Sequence, residues 1–152
     1  MLPKKNRPRL IGRREYVDFP LLAISHVEAK IDTGAYTSSI HCKHIEQISR
    51  NGKELLEFKL MDDTVHTVDD YTQKSIKNSF GEKEERFIIK TLIHIGKKKI
   101  LSTVSLSDRG NMRYPVLIGR RLLKGKFIVD VNLVYTNGLS LKKINTNSSK
   151  LT

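Results

Sequence analysis

A succession of short runs rich in β-branched and aromatic residues, each ended by turn-forming residues, leaves this chain little room for anything but a β fold. The spacing predicts strands over Ile11–Phe19, Val27–Ile31, Ser38–Cys42, Glu54–Met61, Val65–Asp69, Gln73–Lys77, Glu84–Ile95, Lys99–Leu106, Val116–Ile118 and Phe127–Val131. In Leu56-Glu57-Phe58-Lys59-Leu60 the alternation is strict, with one face apolar and the other charged. Phe87–Ile93 and Ile100–Leu106 read as interior strands joined by a turn at Gly96-Lys97, and Asn51-Gly52 is a tight-turn dipeptide. The helical signal is confined to Arg120–Leu123, with a further helical turn expected around Lys43–Ile48. The fold class expected is therefore all-β, with one short C-terminal helix.

Charge and cysteine usage narrow the classes of function. The chain of 152 residues carries 28 Lys and Arg against 16 Asp and Glu, a formal charge of +12. That balance favours anionic partners or simply a solvated basic surface. Nucleic acid is not the expected partner, because no zinc-finger spacing, helix-turn-helix or aromatic-basic interleaving is present. No apolar run approaches the roughly 20 residues that span a bilayer, so no membrane association is expected. The lone Cys42 excludes an intramolecular disulfide framework, and the absence of an apolar stretch behind the basic start points to a cytoplasmic protein. Residues 1–9 read as a basic N-terminal extension, 10–140 as one folded domain, and 141–152 as a flexible polar tail.

The chemistry concentrates at Asp32-Thr33-Gly34, at the end of the apolar run Ala29-Lys30-Ile31. Thr33 suits a buried hydroxyl that locks a turn, and Gly34 suits a place where backbone must approach a carboxylate closely. Carboxylate hydrolysis of a peptide needs two such groups sharing a proton, one acting as acid while the other activates water. The chain supplies one such turn. The second Asp32 must then come from a second copy, which predicts a C2 homodimer with its site on the two-fold axis. Other acidic pairs, Asp62-Asp63 and Asp69-Asp70, are adjacent in sequence and read as solvated turns. Asp108 and Asp130 read as structural, Asp130 closing a strand. His41-Cys42-Lys43-His44 is the one local cluster of soft ligands, but it lacks familiar zinc spacing, so neither metal nor other cofactor is expected.

Downstream lies Val116-Leu117-Ile118-Gly119-Arg120-Arg121-Leu122-Leu123, an apolar strand ending in Gly-Arg. Together with Asp32-Thr33-Gly34-Ala35 it resembles the paired signatures of retroviral-type aspartic proteases. The chain is more closely similar to the bacterial retropepsin-like aspartic protease family that carries the label "ATP-dependent zinc protease". The segments that bear this are Ile11–Val17, Ala29–Ser39, Arg86–Thr91, Ser107–Pro115 and Gly119–Asp130. The resemblance implies a closed retropepsin-like barrel and a hydrolase, an aspartic-type peptidase. Asp32, Thr33 and Gly34 would be catalytic, and Ala35 and Tyr36 would face the substrate. Ile118, Gly119 and Arg120 would support the site, with Arg120 as a dimer or scaffold ion-pair partner. It also implies a flap over residues 75–85, with Phe80 near substrate and Gly81 permitting the tip turn. Tyr36 stands where many relatives carry Arg. The family's association with ATP-grasp ligases that add glutamate implies a peptide or isopeptide bond in an acidic or glutamate-rich segment as substrate. A non-catalytic binding module for acidic peptides on the same barrel is the alternative.

Overall fold

The computed structural model describes residues 7–77, 80–108 and 113–137. Among the described residues, eleven strands follow one another: β1 (Arg9–Ile11), β2 (Arg14–Phe19), β3 (Ile24–Ile31), β4 (Ser38–Arg50), β5 (Lys53–Leu60), β6 (Val65–Val68), β7 (Tyr71–Lys77), β8 (Lys83–Ile95), β9 (Lys98–Ser107), β10 (Val116–Ile118) and β11 (Phe127–Val129). One short helix, α1 (Arg120–Leu123), separates the last two. Six strands run in the order β10–β3–β2–β8–β9–β4, and β4 pairs back onto β10 through Val116↔Ile40 and Leu117↔Ser39. The sheet thereby closes into a six-stranded barrel, leaving those strands without a free edge. Outside it, β5 and β6 extend from the distal half of β4, and β7 pairs with the outer half of β8. A parallel ribbon of β1 and β11 stands apart, with Arg9 opposite Phe127.

The hydrophobic core follows from alternation. On β5, Leu56, Phe58 and Leu60 are fully buried while the residues between them are not. On β8, Ile89, Ile93 and Ile95 fill the same core, with Val17 and Phe19 facing them from β2. Each such side chain removed from water contributes about 1.5–3 kcal/mol. Glu15 breaks the apolar rule on β2, being wholly buried. Its carboxylate accepts hydrogen bonds from the backbone N–H groups of Gly12 (2.8 Å), Thr136 (3.0 Å) and Asn137 (3.0 Å), and from the Thr136 hydroxyl (2.8 Å). The charge is thus solvated by protein donors, and the segment at 136–137 is clasped to β2.

Two expectations change. The helical turn expected around Lys43–Ile48 is strand: β4 continues to Arg50, paired residue for residue with β5. A β-bulge between Cys42 and His44 shifts the phase there, so that Ile45 turns toward the core. The hairpin it forms is closed by Asn51 (φ 54°) and Gly52 (φ 76°), both left-handed, as a tight two-residue turn requires. The run Ile11–Phe19 is divided, because the chain turns at Gly12-Arg13 from β1 into β2.

Candidate active site at the Asp32 turn

The barrel's parallel pairing brings the two sequence signatures together. β3 and β10 lie side by side with Ala29 opposite Val116 and Ile31 opposite Ile118. Asp32 and Gly119 are therefore the next residues at the same end, and the Asp32 N–H donates to the Ile118 carbonyl at 2.8 Å. The turn after Asp32 is tied twice to its own start. The Gly34 N–H donates to Asp32 Oδ1 at 3.1 Å, and the Ala35 N–H to the Asp32 carbonyl at 3.1 Å. A Cβ on Gly34 would stand 3.3 Å from Oδ1, so a side chain there crowds the carboxylate.

From the other side, α1 buttresses this turn. The N–H groups of Arg120 and Arg121 donate to the carbonyls of Ala35 (2.8 Å) and Tyr36 (3.0 Å), and the Gly119 N–H donates to Ser38 Oγ (3.0 Å). Gly119 is pressed so closely that an added Cβ would lie 2.7 Å from the Tyr36 carbonyl oxygen. Within the single chain the Arg120 Nη1 donates to the Thr33 carbonyl (2.9 Å), and the guanidinium lies 5.9 Å from the Tyr36 ring centre.

Asp32 itself is half-buried, whereas Thr33 and Gly34 are exposed. In the single chain Thr33 is therefore an exposed residue. Thr33, Tyr36, Arg120, Arg121, Lys124 and Phe127 help line an open cleft of about 570 Å³. Tyr36 is 59 % exposed at its edge. Ala35 is held in the turn, and Ile118 is fully buried beneath it.

The flap segment is a hairpin of β7 and β8, in register to Lys77↔Lys83. Asn78 and Ser79 of that segment lie outside the described residues, as do Arg109–Met112 of the segment Ser107–Pro115. Phe80 is 87 % exposed, and Gly81 adopts φ 79°.

The competing acids behave as turn and surface groups. Asp62 accepts from the Thr64 N–H and hydroxyl, Asp63 meets Lys43 at 2.8 Å, and Asp69 meets Lys53 at 3.2 Å; these partners hold all three carboxyls below the usual range. Asp130 accepts from the Asn132 N–H at 2.9 Å as β11 ends. Cys42 is buried, and desolvation, with the nearby Asp108 charge, pushes its thiol up to about 12. Its sequence neighbour His44 is exposed. One constellation escaped the sequence: His44, Glu46 and Glu57 bring ligand atoms within 4.8 Å of one another. His44 Nε2 is 3.4 Å from Glu46 and 3.5 Å from Glu57, separations that fit either direct polar contacts or a shared metal ion. The alternation His44-x-Glu46 was a signal, but Glu57 joins only through the β4–β5 register.

A six-stranded barrel with Asp-Thr-Gly at the end of one strand and Gly-Arg beside it defines a retropepsin-like acid-protease fold. The chain belongs to the RimB-like family, described as retropepsin-like aspartic endopeptidase RimB, which it matches over residues 10–139. It is similar to Lpg0085, a protein of unknown function from Legionella pneumophila subsp. pneumophila str. Philadelphia 1. The two share 25 % identity at a TM-score of 0.68, over 85 % of this chain and 98 % of that one. It is also 34 % identical over 134 residues to a probable alpha-L-glutamate ligase of Desulfotalea psychrophila, and 31 % identical over 133 residues to one of Shewanella pealeana. Each alignment covers 80 % of this chain but 28 % of the relative, so the chain spans little more than a quarter of those proteins. Among the described residues, no helix is long and apolar enough to cross a membrane.

Proposed function

We propose that the protein is an aspartic-type peptidase whose reacting groups are two Asp32 carboxylates, one from each of two copies of the chain. The observation that carries this reading is the placement of Asp32. It is held in a hydrogen-bonded turn whose next residue, Thr33, lines an open cleft, with Thr33 and Gly34 both exposed. An exposed turn of this kind is what a second copy would cover, and covering it would give the Thr33 hydroxyl the buried setting it lacks in one chain. Two carboxylates brought to about 3 Å share one proton. One then takes a proton from the attacking water while the other gives its proton to the scissile carbonyl oxygen. The tetrahedral intermediate collapses as the nitrogen leaves with a proton. Tyr36 and Ala35 would line the substrate path, with the hairpin bearing Phe80 and Gly81 closing over it.

An acidic peptide is the substrate class that suits a cleft lined by Arg120, Arg121 and Lys124 on a chain of charge +12. The probable alpha-L-glutamate ligases that contain a matching segment support a functional link to glutamate addition, with hydrolysis of peptide or isopeptide bonds in a glutamate-rich segment as the partner reaction. The test is incubation of wild type and Asp32→Asn with polyglutamylated and unrelated peptides, with products identified by mass spectrometry. Cleavage by the wild type alone is the expected result. Equal turnover by Asp32→Asn refutes it, and binding without turnover by either form would leave a binding module.

A further inference from the structure

Away from the Asp32 turn, two turns distant in sequence converge. The β8–β9 turn brings Lys97, Lys98 and Lys99, and the chain after α1 brings Lys124 and Lys126; together with Ile100 and Gly125 they line a concavity of about 450 Å³. A second hollow of about 290 Å³, which shares Ile100 and Lys126 with the first, adds Lys90 and Arg121. Among the described residues, no carboxylate lines either hollow. The crowding has an electrostatic mark: the Lys98 ammonium is held below its ordinary pKa by burial and by the charges of Arg9 and Lys126. Like charges gathered this closely raise the energy of the chain alone and lower that of any anion placed there.

Lys124 and Arg121 also line the cleft at Thr33 and Tyr36, so the basic surface is continuous with the candidate active site. Resting on the peptidase reading above, we infer that this lysine surface is an exosite. It would hold the acidic stretch of a polypeptide whose scissile bond lies at Asp32. Continuity decides between anions, since a chain cut in the cleft and running on over these lysines is a polypeptide. Among the described residues, neither hollow is lined by an aromatic side chain on which a base could stack, which argues against a nucleic acid.

The experiment uses the full chain with Lys97→Ala, Lys99→Ala and Lys126→Ala combined, side chains outside the Asp32 cleft. Binding is read by fluorescence anisotropy on the Asp32→Asn background, with a labelled decaglutamate peptide, so it does not depend on turnover. The triple substitution is expected to weaken binding about tenfold and to flatten its salt dependence. In active protein it is expected to raise KM for a long acidic substrate about tenfold, leaving kcat and the cleavage of a short neutral peptide unchanged. Unchanged decaglutamate affinity overturns the exosite even where Asp32 proves catalytic. A single-stranded oligonucleotide of equal charge that binds more tightly, and loses that advantage in the triple variant, overturns it in favour of a phosphate-backbone site. Failure of the peptidase reading shows separately, as equal turnover by Asp32→Asn.

Discussion

Gly119→Ala isolates the contact that joins the two halves of the site. At φ −97° and ψ 175° the backbone of Gly119 suits alanine, and the stiffer unfolded chain would favour alanine by about 0.4–1 kcal/mol. The surroundings oppose it. A Cβ would lie 2.7 Å from the Tyr36 carbonyl oxygen and 2.9 Å from the carbonyl carbons of Tyr36 and Thr37, all backbone atoms with no rotamer to escape into. Relief requires β10 and α1 to move off the 36–37 segment, at about 1–3 kcal/mol for overpacking. That motion lengthens the hydrogen bonds from Gly119, Arg120 and Arg121 to Ser38, Ala35 and Tyr36, each contributing about 1 kcal/mol net. The expected destabilisation is about 2–5 kcal/mol. For a chain of this size that is a fall in Tm of roughly 5–15 °C. Urea titration followed by circular dichroism measures it, with Tm from a thermal scan. Because conformational entropy alone predicts stabilisation, a change smaller than about 0.5 kcal/mol, or one of opposite sign, would refute the close-approach argument.

Three further outcomes follow from named groups. Glu15→Gln replaces an acceptor oxygen by an NH₂ group that faces donors from Gly12, Thr136 and Asn137; it is expected to cost about 2–4 kcal/mol and to speed amide exchange at 136–137, which heteronuclear NMR reads directly. Cys42, whose thiol is pushed up to about 12, should resist a disulfide exchange reagent at pH 8 until the protein unfolds. Its raised folded-state value means that the unfolded chain releases the proton first. Stability from this group is complete below about pH 9 and falls above it by up to about 1.4 kcal/mol per pH unit, a slope that Cys42→Ala should remove. Mixing equal amounts of wild type and Asp32→Asn chains should roughly halve the activity per wild-type chain if the dyad spans two freely exchanging copies. Strict additivity would place the reaction within one chain.

The β class was legible because alternation on β5 and the apolar runs of β8 and β9 report burial directly, and Asn51-Gly52 needs left-handed backbone wherever it occurs. Lys43–Ile48 misled because its spacing of Ile45 and Ile48 matches a helix turn, whereas the chain uses a bulge at Cys42/His44 to change phase within a strand. Only pairing with β5 distinguishes the two. Asp32 and Gly119 were legible as motifs, but the link between them is the parallel β3–β10 register, a property of topology that no local window contains. The same holds for His44 with Glu57 and for Lys97–Lys99 with Lys124 and Lys126. Each set is assembled across strands or turns, so the spacing along the chain carries no trace of it.

Thr33 bears most directly on how many chains make the site. Within one chain its carbonyl accepts from Arg120, while the residue as a whole is exposed. A threonine kept merely for turn geometry would tolerate serine or asparagine, since both serve exposed turns. A threonine that a second copy buries would tolerate neither fully: serine loses a packed methyl, and asparagine changes the shape facing the two-fold axis. Thr33→Ser and Thr33→Asn should therefore leave the melting of dilute, monomeric protein within about 0.5 kcal/mol, as exposed substitutions do. Both should weaken self-association, measured by sedimentation at rising concentration. Unaltered association would mean that the turn faces solvent in the working protein, and Asp32 would then have no second carboxylate to share its proton.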